Sequence, residues 1–233
     1  MTGPSAPVER LHQSIAREIG TAILAGEHLP GTYFDGEIER SLALGVSRTA
    51  YREAIRILVA KGLLASKPKT GTHVTDRRRW NVLDPDILAW TFSGDADEAF
   101  IRELFELRAI IEPEAAALAA ARHSADELAG MAAALDEMAA YGLAEPGGQA
   151  ADQRFHRLII EASGNRPLGS LAESVGSAVA WTTRFKARHQ RLPRDSMGEH
   201  RAVYDAIAQS DATGARTAML ILIDHAFADM GLR

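Results

Sequence analysis

The chain has 233 residues, enough for a small and a medium domain each with its own core, and its 46% apolar, 24% charged and aromatic-poor composition is that of a helix-rich globular protein. It has no cysteine, which excludes disulfides, thiol catalysis and thiolate metal sites; a metal would have to be held by His, Asp or Glu. The net charge of −5 hides a division, because residues 8–79 hold 12 Lys and Arg against 8 Asp and Glu while the remainder carries −9, so one end is modestly suited to a polyanion.

No run approaches the roughly 18 apolar residues of a membrane span, and the opening MTGPSAPVERLHQS has no apolar core of a signal peptide, so a cytoplasmic protein without membrane contact is expected. Residues 1–7 read as a disordered lead-in. From Val8 to Ala25, Leu11, Ile15, Ile19, Ala22 and Ile23 recur at helical spacing, and Gly26 with Pro30-Gly31 ends the pattern. A short second helix is expected over about 36–44, with Gly45 as its stop. Ser47 then caps a third helix reaching Lys61, with Ala50, Ile55, Leu58 and Val59 facing inward and Arg48, Arg52 and Arg56 on a neighbouring stripe. Two short strands, 63–67 and 72–75, joined by Pro68-Lys69-Thr70-Gly71, complete a winged helix-turn-helix over 8–76.

Residues 77–84 read as a linker, and 85–233 as an all-helical antiparallel bundle with helices near 85–92, 97–121, 124–141, 148–163, 167–188, 196–209 and 211–229. The fold class is thus mainly α: an N-terminal winged helix-turn-helix and a C-terminal helical bundle.

In a helix-turn-helix the second helix of the motif enters the major groove, and its first turns need donors for bases and phosphates. Ser47 and Thr49 suit phosphates at the helix N-terminus, and Arg48 and Arg52, one turn apart, can reach guanine or backbone. Lys69, Thr70, Gly71 and Thr72 at the hairpin tip add charge, hydroxyls and close backbone approach. An arginine stripe alone is a solvated face more often than a DNA reader; its company, three helices in this order and a Gly-tipped hairpin, favours DNA.

In the helical half, Asp152 and His156 form an i, i+4 pair on one helix face, a spacing suited to a shared metal ion or to a simple hydrogen bond, and His200 follows on a later helix. Arg108 lies mid-helix among Leu104, Phe105, Leu107, Ile110 and Ile111, so it snorkels, pairs with Glu112 or binds a carboxylate. Trp181 and Arg184, near one another on the fifth long helix, read either as a wall of the same cavity or as packing and surface.

The segment PGTYFDGEIERSLALGVSRTAYREAIRILVAKGLLASKPKTGTHV resembles the winged-helix domain of GntR-family repressors, with Ile38 where many members carry a DNA-contacting arginine and one wing glycine of the usual two. LFELRAIIEPEAAALAA, ADQRFHRLIIEASGNRPL and EHRAVYDAIAQSDATGARTAM resemble the FCD effector domain of the FadR subfamily, and RRRWNVLDPDILAW looks like the branch of sugar-acid repressors that includes D-galactonate-responsive ones. The resemblance implies a homodimeric repressor on a palindromic operator, released by a small carboxylate, a sugar acid or hydroxy acid, with Arg108, Trp181 and Arg184 in effector binding. It implies a site for Zn²⁺ or another divalent ion at Asp152, His156 and His200. The fourth ligand of the family pattern falls on Leu222, with His225 the nearest histidine, so a four-ligand site, a three-ligand site and a metal-free one all stand at this stage. The competing reading is an enzyme, a hydrolase or lyase using the Asp-His-His centre to activate water; no general base or nucleophile motif accompanies it.

Overall fold

A computed structural model of the protein describes residues 11–34, 36–67, 71–94, 97–188 and 194–232. The chain divides into two compact units, residues 1–95 and 96–233.

The first unit contains α1 (Leu11–Leu24), β1 (Tyr33–Phe34), α2 (Glu37–Ala43), α3 (Arg48–Ala60), β2 (Leu64–Lys67), β3 (Gly71–Val74), a 3₁₀ turn (Arg77–Arg79) and α4 (Pro85–Ser93). Ile15, Ala16, Ile19 and Ile23 of α1 pack on Tyr51, Ala54, Ile55 and Leu58 of α3, with Leu63, Leu64 and Val74 closing the core from the sheet. Tyr51 thus takes the inward place expected of Val59, which is exposed. The sheet is antiparallel in the order β1-β3-β2, with Tyr33 opposite His73 and Ser66 opposite Thr72. β1 was not legible in the sequence, since two residues cannot show an alternation.

Two features fix the wing relative to α3. Gly62 follows the helix with φ 79°, and its N–H and that of Leu63 return to the carbonyls of Val59 and Leu58. A Cβ at Gly62 would stand 2.0 Å from the Arg79 carbonyl oxygen, so only glycine fits both the left-handed backbone and the approach of the following turn.

The sequence reading began the second domain at Pro85; the structure differs. Helix α4 packs on α1, and its Ile87 and Trp90 join the winged-helix core. Lys61, at the end of α3, holds Asp84 at 2.6 Å and Asp86 at 2.8 Å, the first of which caps α4. Apolar burial and this ion pair draw α4 to the first unit, so the segment read as a linker lies within it.

The second unit is a bundle of α5 (Glu98–Arg122), α6 (Ala125–Tyr141), α7 (Pro146–Ala162), the short α8 (Arg166–Gly169), α9 (Ala172–Arg188), α10 (Met197–Ala208) and α11 (Ala212–Ala228). The helix expected over 167–188 is interrupted between α8 and α9. Helix α5 packs on α11 and α7, α7 on α6 and α9, and α10 on α5, α6 and α11. Asp152, Phe155, His156, Ile159 and Ile160 form one buried stripe of α7, at spacings of three and four residues. Thus the apolar periodicity that buries α7 also carries its Asp and His inward. At the start of α7 the Gly142 carbonyl oxygen would stand 1.9 Å from a Cβ at Gly148, so a glycine there seats the helix against the preceding turn.

Candidate functional site

On the first unit, Ser47 caps α3 by accepting the Ala50 N–H at 3.1 Å, which leaves its own O–H to donate outward. Ser47, Arg48, Thr49 and Arg52 are all exposed on the first turns of α3. A residue not singled out in the sequence holds the two arginines: Glu37 of α2 accepts from Arg52 at 3.0 and 3.2 Å and from Arg48 at 3.4 Å. The Arg52 hydrogen bond leads in holding the Glu37 carboxyl below its usual range, with Arg48 adding to it. On the wing, Gly71 is exposed with φ 88°, and Thr72, half-buried, donates to Ser66 Oγ at 3.0 Å. Lys69 and Thr70 lie outside the described residues. Tyr33, exposed on β1, stacks against His73 with 5.1 Å between ring centroids and adds an aromatic beside the wing. Ile38 is exposed on α2.

In the second unit a chain of buried polar groups crosses four helices. Arg108 of α5 donates to Glu112 at 2.6 Å and to Thr182 of α9 at 3.3 Å. The second Glu112 oxygen accepts from His156 Nδ1. His156 Nε2 lies 3.5 Å from Asp152 Oδ1, and His200 Nε2 of α10 reaches the same oxygen at 3.1 Å. Thr183 of α9 donates to the other Asp152 oxygen at 3.0 Å, and His200 Nδ1 donates to the Ser196 carbonyl at 2.8 Å.

The donors and acceptors of this chain decide what it can hold. A carbonyl and a carboxylate only accept, so both histidines carry their proton on Nδ1, and in the neutral form both Nε2 lone pairs converge on Asp152 Oδ1. Three electron-rich atoms facing one another repel unless a cation stands among them. The chain supplies one when His156 is protonated: burial opposes the charge, but Glu112 and Asp152 hold the His156 pKa up at about 9. Burial likewise pushes Glu112 up, and Arg108 with His156 holds it down at about 2. Asp152, pushed up by burial, lies well below its usual range because of the hydrogen bonds from the two histidines.

A divalent ion would do the same work as that proton. The donor set is two imidazoles and a carboxylate, and the ligand atoms lie within 4.8 Å of one another. The 3.1 and 3.5 Å separations bracket the edge, about 3.3 Å, of a tetrahedron with ligands at about 2.0–2.1 Å. Each histidine also has the outer hydrogen-bond partner typical of metal-ligating imidazoles, Glu112 for His156 and the Ser196 carbonyl for His200. The residues present fit a metal.

His225 is not among them. It is 52% exposed and turns its Nδ1 to Glu199 at 2.7 Å, whereas Leu222, one turn earlier on α11, lines the cavity with the three ligand-type side chains, together with Ala226. The cavity between these groups measures about 20 Å³, the room of an ion or a single water.

Of the three sequence readings of Arg108, the structure shows the ion pair with Glu112. Trp181 and Arg184 do not share its cavity. The face of α9 turned to Arg108 presents Val179, Thr183 and Lys186, and a helix of 3.6 residues per turn carries Trp181 away to a separate, open depression with Gln149 and Arg188. Arg184 lies over the Trp181 ring there, 4.8 Å from its centroid. Sequence reasoning missed Thr183, Lys186 and the orienting role of Glu112. The signal was present, since Val175, Val179, Thr182, Thr183 and Lys186 recur at helical spacing and place a lysine in an inward stripe.

A winged helix with exposed arginines on its recognition helix, in one chain with a helical unit that encloses a buried ligand-type cluster, defines a DNA-binding, effector-responsive transcriptional regulator. Residues 11–74 match the gntR family of bacterial regulatory proteins and residues 103–225 match the FCD domain, and the chain belongs to this family. It is similar to the galactonate operon transcriptional repressor of Escherichia coli, 31% identical over 207 residues that cover 88% of this chain and 90% of the relative. It is 34% identical to the HTH-type transcriptional regulator YieP of Escherichia coli, over 94% of each chain. Lar of Listeria monocytogenes, which controls expression of the agr system in that organism, shares the fold with a TM-score of 0.67 at 19% identity, covering 98% of this chain and all of Lar. These are regulators rather than enzymes, and the hydrolase or lyase reading finds no support. Among the described residues no helix is long and apolar enough to cross a membrane.

Proposed function

We propose that the protein is a homodimeric repressor that leaves a palindromic operator when a small carboxylate, a sugar acid or hydroxy acid, binds the helical unit, and that this unit holds Zn²⁺ or another divalent ion on Asp152, His156 and His200. Ser47, Arg48, Thr49 and Arg52, with Gly71, Thr72 and the neighbouring Lys69 and Thr70 of the wing, serve the operator. Residues 8–76 form the DNA-binding part, and the helical unit carries effector binding and dimerisation.

The observation that carries the effector half is the convergence of two Nε2 lone pairs on one carboxylate oxygen, with both Nδ1 protons committed elsewhere. When bound, the ion would offer a Lewis-acidic seat to a carboxylate and an adjacent hydroxyl. The residues do the rest: Glu112 and Ser196 fix the two ring orientations, Thr183 fixes Asp152, and Arg108 neutralises Glu112. Arg108 is therefore a positioning residue, its charge already spent on Glu112. A sugar acid as ligand accords with the name of the galactonate operon repressor. Binding would favour the arrangement of the dimer that fits the operator poorly.

An electrophoretic shift with DNA from upstream of the protein's own gene, at low salt where phosphate contacts are strongest, tests the DNA half; no shift there would refute it. Metal analysis after purification without chelator, followed by calorimetry against sugar acids on loaded and stripped protein, tests the other. Zinc below stoichiometry together with unchanged ligand binding after stripping would remove the metal from the reading.

A further inference from the structure

Lys186 is a buried cation without a counter-ion in contact. The residue is only 6% exposed, it lines the cavity beside Asp152, His156, His200 and Leu222, and among the described residues its ammonium makes neither a hydrogen bond nor an ion pair. The other cations of the cavity are satisfied. Arg108 is held by Glu112 and Thr182, and Arg194 by Glu199 and Asp229. Burial lowers the Lys186 pKa below its ordinary value; Asp152 and Asp229 pull it up, while Arg108 and Arg194 push it down.

The Lys186 ammonium is not among the fully enclosed, partnerless nitrogens of the described residues, so it is served only through the cavity it lines, and a nearly buried cation with no protein acceptor is the place for a ligand's acceptor. A metal on the neighbouring Asp and histidines would add positive charge to the same small space and sharpen the need for an anion. The lysine stem, pinned by no partner at its tip, can move to widen a cavity that now has room for little more than one water.

We infer that Lys186 is the anion seat of the effector cavity: its ammonium takes the carboxylate of the ligand, so that the cavity accepts acids and rejects their uncharged counterparts. This deepens, and rests on, the carboxylate-effector reading above. The discrimination follows from what each ligand leaves behind. A carboxylate replaces the missing partner of Lys186 with a charge-assisted hydrogen bond, whereas a neutral polyol or amide fills the space and leaves the ammonium sealed without one.

The experiment uses the full chain and two pairs of probes, galactonate with galactitol and lactate with lactamide, followed by calorimetry and thermal melting on the wild type, Lys186→Met and Lys186→Arg. The wild type is expected to bind at least one acid and neither neutral partner. Lys186→Met should weaken the acid by about 10- to 100-fold and Lys186→Arg should restore part of the loss. Without ligand, Lys186→Met should melt at or above the wild type, because an uncompensated charge has been removed. Equal affinity for the acid in wild type and Lys186→Met would overturn the seat while leaving the carboxylate effector standing. So would a wild type that binds acid and neutral partner alike, a ligand-free Lys186→Met that melts well below the wild type, or zinc lost from Lys186→Met, which would make the amine a metal ligand. If no acid binds the wild type, the carboxylate reading itself falls, and the seat with it.

Discussion

Replacing Glu112 by glutamine keeps the shape of the side chain and removes its charge, and the structure gives that change two separable costs. The carboxylate is fully buried between Arg108 and His156. Breaking a buried ion pair by removing one partner costs about 3–5 kcal/mol, because the other charge is left uncompensated. The electrostatics of the site point the same way: burial would raise the Glu112 pKa, yet Arg108 and His156 hold it at about 2 against an ordinary 4.5, a gap worth roughly 3 kcal/mol at about 1.4 kcal/mol per pH unit. For a unit of this size roughly 3 °C of melting temperature accompanies each kcal/mol, so stripped Glu112→Gln should melt about 10 °C below the stripped wild type. The second cost falls on the metal. Without the negative charge, His156 keeps at most a neutral amide acceptor and loses the partner that raises its basicity, and zinc affinity should drop by about 10- to 100-fold. The double variant Arg108→Met with Glu112→Leu separates the two, since an apolar pair of similar volume is often neutral or stabilising. It should recover most of the melting temperature while zinc binding stays weak. Calorimetric melting and competitive zinc titration measure both. A Glu112→Gln protein melting within a few degrees of the wild type, or binding zinc as tightly, would refute the relay from Arg108 through Glu112 to His156.

Three further outcomes follow from geometry already described. His200→Ala should purify with less than half the wild-type zinc, while His225→Ala, whose ring meets Glu199 on the surface, should retain it; elemental analysis distinguishes them. Arg52→Ala should weaken operator binding by about 1–3 kcal/mol if the guanidinium reads a base, measured by fluorescence anisotropy on the operator found by footprinting. In the first unit, burial would lower the Lys61 pKa, but Asp84 and Asp86 raise it above 10.5. A folded pKa above the unfolded one contributes stability that is complete below pH 10.5, the unfolded value, and is lost above it as the pH climbs through the raised folded value. The stability difference between wild type and Lys61→Met, read from urea midpoints, should therefore be largest near about pH 9 and shrink near about pH 11.

The recognition helix was readable because Ser47, Gly45 and the inward apolar residues are local signals, each acting within a turn of the element it shapes. The α7 stripe was readable for the same reason: one periodicity both buries Phe155 and Ile159 and directs Asp152 and His156 inward. What escaped were relations between elements. The Glu37 bridge joins α2 to α3, Thr183 meets Asp152 across 31 residues, and α4 attaches to α1 through Trp90 at a distance no window of sequence spans. Trp181 and Arg184 had two readings, a wall of the Arg108 cavity or packing and surface; they lie in a separate depression, the side to which a count of turns from Thr183 points.

Glu37 alters what it means for α3 to meet DNA. If Arg48 and Arg52 meet the groove as proposed, they do not arrive as naked charges awaiting phosphates; they arrive already matched to a carboxylate, so docking is an exchange of partners. Each guanidinium that leaves Glu37 for the operator gives up a bond while gaining one, and the carboxylate left behind reclaims cations from solution. Fewer ions are then set free per arginine engaged than two unpaired arginines would liberate. Binding should accordingly fall less steeply with salt than a tally of cationic residues on the helix suggests, and Glu37→Gln should steepen it.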